Sequence, residues 1–187
     1  KAISRADVAV LVLDAHDGLT AQDAHVAGYV IEEGKGLIVA VNKWDIVEDK
    51  QKTMKEVESK LEDVLPEIRG VPVVTLSAKQ ERGLDKLLNA VLGAMEKWNS
   101  RISTARLNRW LENILERHPP PAVSGRRLKI KYMTQAKTRP PGFVLSCSRP
   151  ESLPESYLRY LVNELRSTFS LDGIPIRMMP RGSENPF

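Results

Sequence analysis

The sequence has little of the chemistry that marks secreted, membrane-spanning or metal-binding proteins. Its one cysteine, Cys147, excludes an internal disulfide and a zinc site of the usual cysteine spacing. No apolar run approaches the ~20 residues that a membrane-spanning helix needs. The first residues also lack the apolar core and cleavage site of a secretory signal. These absences favour a cytoplasmic protein with no membrane partner.

The composition is that of a folded globular protein with an uneven charge distribution. Of 187 residues, 42% are hydrophobic and 28% charged, and the length allows one large domain or two small ones. Residues 1–100 carry a net charge of −4 and residues 101–187 a net charge of +8. An acidic half joined to a basic half predicts two domains with different partners, the basic one suited to a polyanion. Because the chain opens with Lys1 rather than Met, we expect it to begin inside a larger protein.

In the first half, three apolar segments alternate with amphipathic ones. Residues 7–14 and 36–42 are nearly continuous apolar runs, typical of strands buried on both faces of a parallel sheet, and residues 71–76 predict a third strand. Helices are predicted from the amphipathic stretches at residues 20–34, 50–65 and 83–98. The β-α-β-α-β-α order predicts an α/β sheet wound right-handed. Since its first strand would leave one edge bare, we expect the second half of a larger domain.

The second half has the order α-β-β-α-β and predicts a separate α+β domain. A helix is striped by Leu107, Trp110 and Ile114, and a second helix follows residue 153. Strands are predicted at residues 127–133, 142–147 and 173–177. The resulting domain prediction is 1–100 for the α/β part and 101–187 for the α+β part.

A polar motif, Asn42-Lys43-Trp44-Asp45, comes directly after the second buried strand. Ligands of open α/β sheets bind beyond the carboxyl ends of the strands. The Asp45 carboxylate can accept the N1–H and N2–H of guanine together, a pair that adenine does not offer. Asn42 can hold the loop and reach the base edge, while the Lys43 stem can lie along the ring. The alternative is a strand-to-helix loop that is polar by accident.

A second motif, Ser77-Ala78-Lys79, follows the third strand in the same way. The small Ala78 lets its backbone N–H approach a carbonyl such as guanine O6, and Ser77 would brace the loop. Taken alone, the tripeptide is equally typical of an ordinary small-residue turn. Together with residues 42–45 on the neighbouring strand, it predicts a guanine site and therefore GTP or GDP as ligand.

The two motifs are similar to the fourth and fifth guanine-recognition elements of P-loop GTPases. Residues 14–23, Trp44, and residues 137–141, 154–160 and 185–187 further resemble the Der (EngA) family of bacterial GTPases. The resemblance covers essentially the whole chain. It implies the back half of the second of two tandem GTPase domains, a P-loop NTPase fold, followed by a KH-like domain. It further implies a role in assembly of the large (50S) ribosomal subunit, with that subunit, its rRNA and the upstream GTPase domains as partners of a monomer.

The residues that would handle phosphates are missing from this sequence. A phosphate loop needs Gly-x4-Gly-Lys-Ser/Thr, but the one Gly-Lys pair, Gly34-Lys35, is followed by Gly36. We therefore expect the phosphate, Mg²⁺ and water-positioning residues to lie upstream, assign no catalytic residue here, and expect no GTP hydrolysis by this chain alone. Asp14, His16 and Asp17 are interpreted as structural, so no metal site is predicted.

The basic half has one stretch with six cations and no acid. RNA contact is predicted for Arg126, Arg127, Lys129, Lys131, Lys137 and Arg139. Strand alternation predicts Arg127, Lys129 and Lys131 on an open face, with Leu128, Ile130 and Tyr132 on the packed face. The alternative is an ordinary solvated strand face.

The KH-like part lacks the Gly-x-x-Gly loop with which KH domains hold four nucleotides, because no two glycines stand three apart. We therefore expect contact with structured rRNA by charge and shape. The alternative is a non-enzymatic interaction module whose KH-like half only braces the GTPase domain. Salt dependence separates the two, because phosphate contacts weaken steeply with salt.

Overall fold

The computed structural model describes residues 2–122 and 128–182. Their contacts divide the chain into two compact units. The first unit runs to Trp98 and also includes Ser170–Pro175. The second comprises Asn99–Phe169 and the residues from Ile176 onward.

The first unit is built on a sheet of three parallel strands in the order β1-β2-β3. The strands are β1 (Val8–Asp14), β2 (Gly36–Asn42) and β3 (Val73–Thr75). Asp14 pairs with Asn42, so the carboxyl ends of β1 and β2 lie side by side. The central strand is buried from Gly36 to Val41, as its continuous apolar run predicted. The α/β prediction of three parallel strands is confirmed, with a third strand shorter than residues 71–76.

Helices of the first unit lie on both faces of this sheet. They are the short α1 (Ala2–Arg5), α2 (Ala21–Glu32), α3 (Lys50–Val64) and α4 (Leu84–Trp98). Helix α2 begins with a capping box, since the Asp23 N–H donates to Thr20 Oγ1 and the Thr20 N–H donates to the Asp23 carboxylate. The core on one face contains Leu37, Val39 and Val41 with residues of α2 and α3. The core on the other face contains Ile38, Val74, Ala94, Trp98 and Ile174.

The segment Ser170–Pro175 packs within the first unit, and the strand predicted at residues 173–177 is wrong. Ile174 is fully buried in the same core cluster as Ile38. Gly173 has φ +72°, and a Cβ there would lie 2.6 Å from Pro72 Cδ, so only glycine fits. Its N–H donates to the Arg69 carbonyl at 3.1 Å. Ile174, one of the apolar residues that suggested a strand, instead packs in the core beside β2.

The second unit has a mixed sheet in the order β4-β5-β6. The strands are β4 (Ile130–Lys137), β5 (Gly142–Cys147), antiparallel to β4, and β6 (Arg177–Gly182), parallel to β5. The helices are α5 (Thr104–Arg117) and α6 (Glu155–Thr168). The fully or almost fully buried side chains of this unit include Leu107, Ile114, Met133, Phe143, Leu145, Leu161 and Leu165. The predicted α-β-β-α-β order is confirmed.

Strand β4 departs from the predicted alternation. Ile130 pairs with Cys147 but Tyr132 pairs with Ser146, so Lys131 is an extra residue in a β-bulge. The bulge reverses the faces beyond it, and Tyr132 is 49% exposed while Met133 is fully buried. The prediction that Tyr132 lies on the packed face is therefore wrong. No helix in the described ranges is long and apolar enough to cross a membrane.

Candidate functional site

The loops that follow β2 and β3 are in direct contact. Asn42, the last residue of β2, accepts a hydrogen bond at its Oδ1 from the Ala78 N–H, 2.9 Å away and 36 residues later in the chain. The Trp44 N–H donates to the Leu76 carbonyl at 3.0 Å. The structure thus brings together the two motifs that the sequence placed after neighbouring strands.

The loop after β2 has a special backbone at Lys43. This residue has φ +61° and leads into a 3-10 turn at Trp44–Ile46. The Lys43 Nζ lies 2.6 Å from Asp14 Oδ2, at the carboxyl end of β1. The hydrogen bond between them lowers the pKa of Asp14 and raises the pKa of Lys43. Lys43 is therefore held by a carboxylate that the sequence analysis did not assign to the site.

Asp45 presents an ionised carboxylate at the mouth of the site. A hydrogen bond with Ser77 is the main cause that lowers the pKa of Asp45. The Gln80 amide nitrogen lies 3.3 Å from Asp45 Oδ2, and the Gln80 N–H donates to Ser77 Oγ at 3.2 Å. Both carboxylate oxygens are acceptors at neutral pH. Gln80 is a further residue that the sequence analysis missed.

The turn between β3 and α4 shapes the second loop. Ser77 and Arg82 exchange two backbone hydrogen bonds of 3.0 and 3.1 Å. Gly83 then has φ +82°, and a Cβ there would lie 2.5 Å from the Thr75 carbonyl oxygen. The close return of the chain past β3 therefore requires glycine at this position. It places Ser77 and Ala78 opposite the end of β2.

A cavity of about 320 Å³ lies between these loops. Its size is at the lower end of the range for small-molecule sites. It is lined by Asn42, Lys43, Asp45, Ile46, Ser77 and Lys79. Four of the five residues predicted to bind guanine line the cavity, and the fifth, Ala78, donates its N–H to Asn42. A base oxygen approaching Ala78 would have to share or take over that donor.

Within residues 2–122 and 128–182, no three His, Cys, Asp or Glu side chains are grouped to hold a metal ion. Arg126 and Arg127 lie outside the described residues. The other four predicted RNA residues are exposed: Lys129, Lys131, Lys137 and Arg139.

Comparisons with known proteins match both units. Residues 101–181 match the family described as the KH-domain-like of EngA bacterial GTPase enzymes, C-terminal. Residues 1–97 match the elongation factor Tu GTP binding domain. GTPase Der of Mesorhizobium japonicum is 53% identical over 187 residues, which is 100% of this chain and 39% of that protein. The chain belongs to the Der (EngA) family of GTPases.

The Der relatives are longer than this chain. GTPase Der of Brucella suis is 52% identical, again over 100% of this chain and 39% of its own length. The chain therefore spans about two fifths of the length of the curated Der proteins it matches. Among solved structures, Aquifex aeolicus Era bound to GDP and aluminium fluoride is similar with a TM-score of 0.43 and 15% identity. That match covers 96% of this chain and 66% of Era.

Proposed function

We propose that residues 1–100 are the guanine-recognition half of a GTPase domain and that residues 101–187 are a KH-like, RNA-contacting domain. The whole would be a GTP-binding and GTP-hydrolysing protein acting in maturation of the large ribosomal subunit. The observation that carries the first part is the contact between Asn42 and Ala78, beside the ionised Asp45 carboxylate. Membership of the Der family supports the second part. We also propose a monomer in the cytoplasm.

Guanine selectivity would come from hydrogen-bond complementarity at Asp45. Its two oxygens accept N1–H and N2–H of guanine, whereas adenine presents an acceptor at N1. The Lys43 stem would cover one face of the ring, and its ammonium is already fixed by Asp14. Asn42 would tie the two loops together as it does in the structure. These residues bind and orient a base but offer no group that attacks a phosphate.

GTP and GDP fit the base-binding loops, but the residues present do not make a phosphate site. The 187 residues contain no Gly-x4-Gly-Lys-Ser/Thr loop whose N–H groups would hold phosphates. Phosphate and Mg²⁺ binding, and the hydrolysis that Mg²⁺ assists, are therefore proposed for parts of the longer protein. This chain alone is expected to bind guanine nucleotides weakly and to leave them intact.

The guanine proposal is tested by comparing nucleotides that differ in their base, with the wild-type chain and with a variant at Asp45. In the N–H correlation spectrum of the chain, GDP should shift the amide signals of residues 42–46 and 77–80 while ADP leaves them unchanged. Asp45→Asn should weaken GDP binding about 10- to 150-fold, the value of a hydrogen bond to a charged group. The same variant should favour XDP, because the xanthine O2 accepts from the new amide. Glu48→Gln, an exposed carboxyl outside the cavity lining, is the matched control. Equal shifts with ADP and GDP would refute the proposal.

Contact with rRNA is proposed for the basic stretch from Arg126 to Arg139. It contains no acidic residue, and its four described cations are exposed on or beside the outer strand β4. Binding of the chain to large ribosomal subunits should fall steeply with salt. Lys129→Glu with Lys131→Glu should abolish it, whereas Lys55→Glu with Lys60→Glu on α3 should retain it. No binding at low salt would leave the KH-like half as a brace without RNA contact.

A further inference from the structure

The sheet of the second unit has one face on which the side chains of its two outer strands are largely exposed within the described part of the chain. Residues paired across neighbouring strands project to the same side of a sheet. The register therefore gives three rows on one face, which we name the open sheet face: Tyr132–Ser146–Arg181, Thr134–Val144–Met179 and Lys137–Gly142–Arg177. The opposite face carries Met133, Phe143 and Leu145, all fully buried.

Two large side chains on the open sheet face, Tyr132 and Met179, are accessible. Tyr132 is 49% exposed and Met179 is 45% exposed, and Thr134 and Val144 beside them are partly buried. The bulge at Lys131 is the reason that the Tyr132 ring is turned to this side. An aromatic ring beside a thioether gives a flat, polarisable surface on which another ring can stack.

Both ends of the open sheet face are cationic. At one end, Arg181 lies in the Tyr132 row. Beyond this row, Lys129 lies opposite Ser148, to which it is joined by two hydrogen bonds of 2.9 and 3.1 Å. Lys137 and Arg177 flank Gly142 at the other end. None of the residues in the three rows is acidic. The five residue-to-residue steps from Tyr132 to Lys137 span about 16 Å at the usual strand rise.

A buried hydroxyl lies on the central strand of this face, in the row that contains Tyr132 and Arg181. Ser146 is 3% exposed and its Oγ has no hydrogen-bond partner within the described part of the chain. A hydroxyl both donates and accepts, so it can meet either the edge of a base or a ribose 2′-hydroxyl. Its two neighbours in the row are Tyr132 and Arg181, whose long side chains can move aside.

We propose that the open sheet face binds single-stranded RNA, with a base stacked on Tyr132 and the phosphates between Arg181 and Lys137. An exposed aromatic ring among cations is the combination with which proteins bind single-stranded nucleic acids. The three rows carry three cations and no acid, a charge pattern that matches the phosphates of a nucleic acid. The inference rests on the proposed RNA contact and deepens it, since it specifies a single strand and adds β6 residues outside the basic stretch.

Anisotropy titrations of the full chain with labelled RNA test this inference. The probes are a single-stranded 12-mer of mixed sequence and the corresponding duplex, each across a salt series. Tyr132→Ala should weaken binding of the single strand about 5- to 150-fold, the value of one stacked base, and Tyr132→Phe should retain it. Arg181→Gln should reduce the slope of log affinity against log salt by about 0.7.

Matched controls lie on other surfaces of the same chain. Tyr29→Ala removes a tyrosine of α2 that is 51% exposed, and Arg109→Gln removes an exposed arginine of α5. Neither should change RNA affinity by more than twofold. Circular dichroism of each variant verifies folding, which a half-exposed Tyr132 is not needed to maintain.

The outcomes separate this inference from the proposed function. If the chain binds RNA and Lys129→Glu with Lys131→Glu weakens it, but Tyr132→Ala and Arg181→Gln do not, the open sheet face is not the site and the RNA contact of the basic stretch stands. If Tyr132→Ala weakens duplex binding as much as single-strand binding, stacking is refuted. If the wild-type chain binds neither RNA at low salt, the inference and the proposed RNA contact both fail.

Discussion

Replacement of Gly83 by alanine is expected to destabilise the loop that carries Ser77 and Ala78. Gly83 has φ +82°, and an added Cβ would lie 2.5 Å from the Thr75 carbonyl oxygen and 3.1 Å from Leu76 Cα. A left-handed backbone costs a non-glycine residue about 1–3 kcal/mol. The backbone shift that relieves the contact adds about 1–3 kcal/mol. Gly83→Ala should therefore lower the free energy of unfolding by about 2–6 kcal/mol.

Another glycine of the same unit gives the opposite expectation. Gly93 lies inside α4, and a Cβ there would have no heavy atom within 4 Å. Gly93→Ala should raise the free energy of unfolding by about 0.8–1.0 kcal/mol through helix propensity. Urea unfolding of the wild type and both variants measures the two shifts. If Gly83→Ala unfolds at the same urea concentration as Gly93→Ala, the steric account of the turn is wrong.

Two pH effects follow from pairs in the structure. Lys43 lowers the pKa of Asp14 below the ordinary aspartate value of 3.8, so the pair stabilises the fold above that pH, and the contribution is lost as pH falls through the folded pKa of Asp14. Lys43→Met should return the Asp14 titration, followed by carboxyl NMR, toward 3.8. Burial raises the pKa of Tyr157 to about 12, against about 10 in the unfolded chain, so stability should fall as pH rises from 10 to 12. Tyr157→Phe should remove that fall in urea unfolding while losing about 1 kcal/mol, because the hydroxyl donates to the His118 carbonyl at 2.6 Å.

The parts of the fold that could be predicted from sequence are those with one strong local signal. Strand β2 was expected at residues 36–42 and lies there, because a run buried on both faces is apolar at every position. The bulge at Lys131 has no such signal, since it depends on pairing with β5, and the face of Tyr132 was therefore mispredicted.

The candidate site also has features that could be predicted from the sequence and features that could not. The position of the two motifs after neighbouring strands was enough to predict that their loops lie together, but the hydrogen bond from the Ala78 N–H to Asn42 was not predicted. The pairs Lys43–Asp14 and Gln80–Asp45 were not predicted. They depend on backbone details such as φ +61° at Lys43, which place a side chain toward one neighbour and not another. Motifs thus indicate the kind of ligand, whereas the hydrogen bonds that hold the motif residues in place are seen only in the three-dimensional structure.

The division of the chain into units gives a last prediction. Ile174 lies late in the sequence but is fully buried with Ile38, Val74 and Trp98 of the first unit. Ile174→Ala should lower the stability of that unit by about 2–5 kcal/mol and speed hydrogen exchange at the amides of β2 and α4. Ile114→Ala, 1% exposed on α5 of the second unit, is the matched control and should speed exchange at α5 and β4. Faster exchange of β2 in Ile114→Ala but not in Ile174→Ala would contradict the grouping of Ser170–Pro175 with the first unit. A residue can thus stabilise the sheet of the first unit although about a hundred residues separate it from that sheet in the sequence, because it packs in the same core cluster as Ile38, Val74 and Trp98.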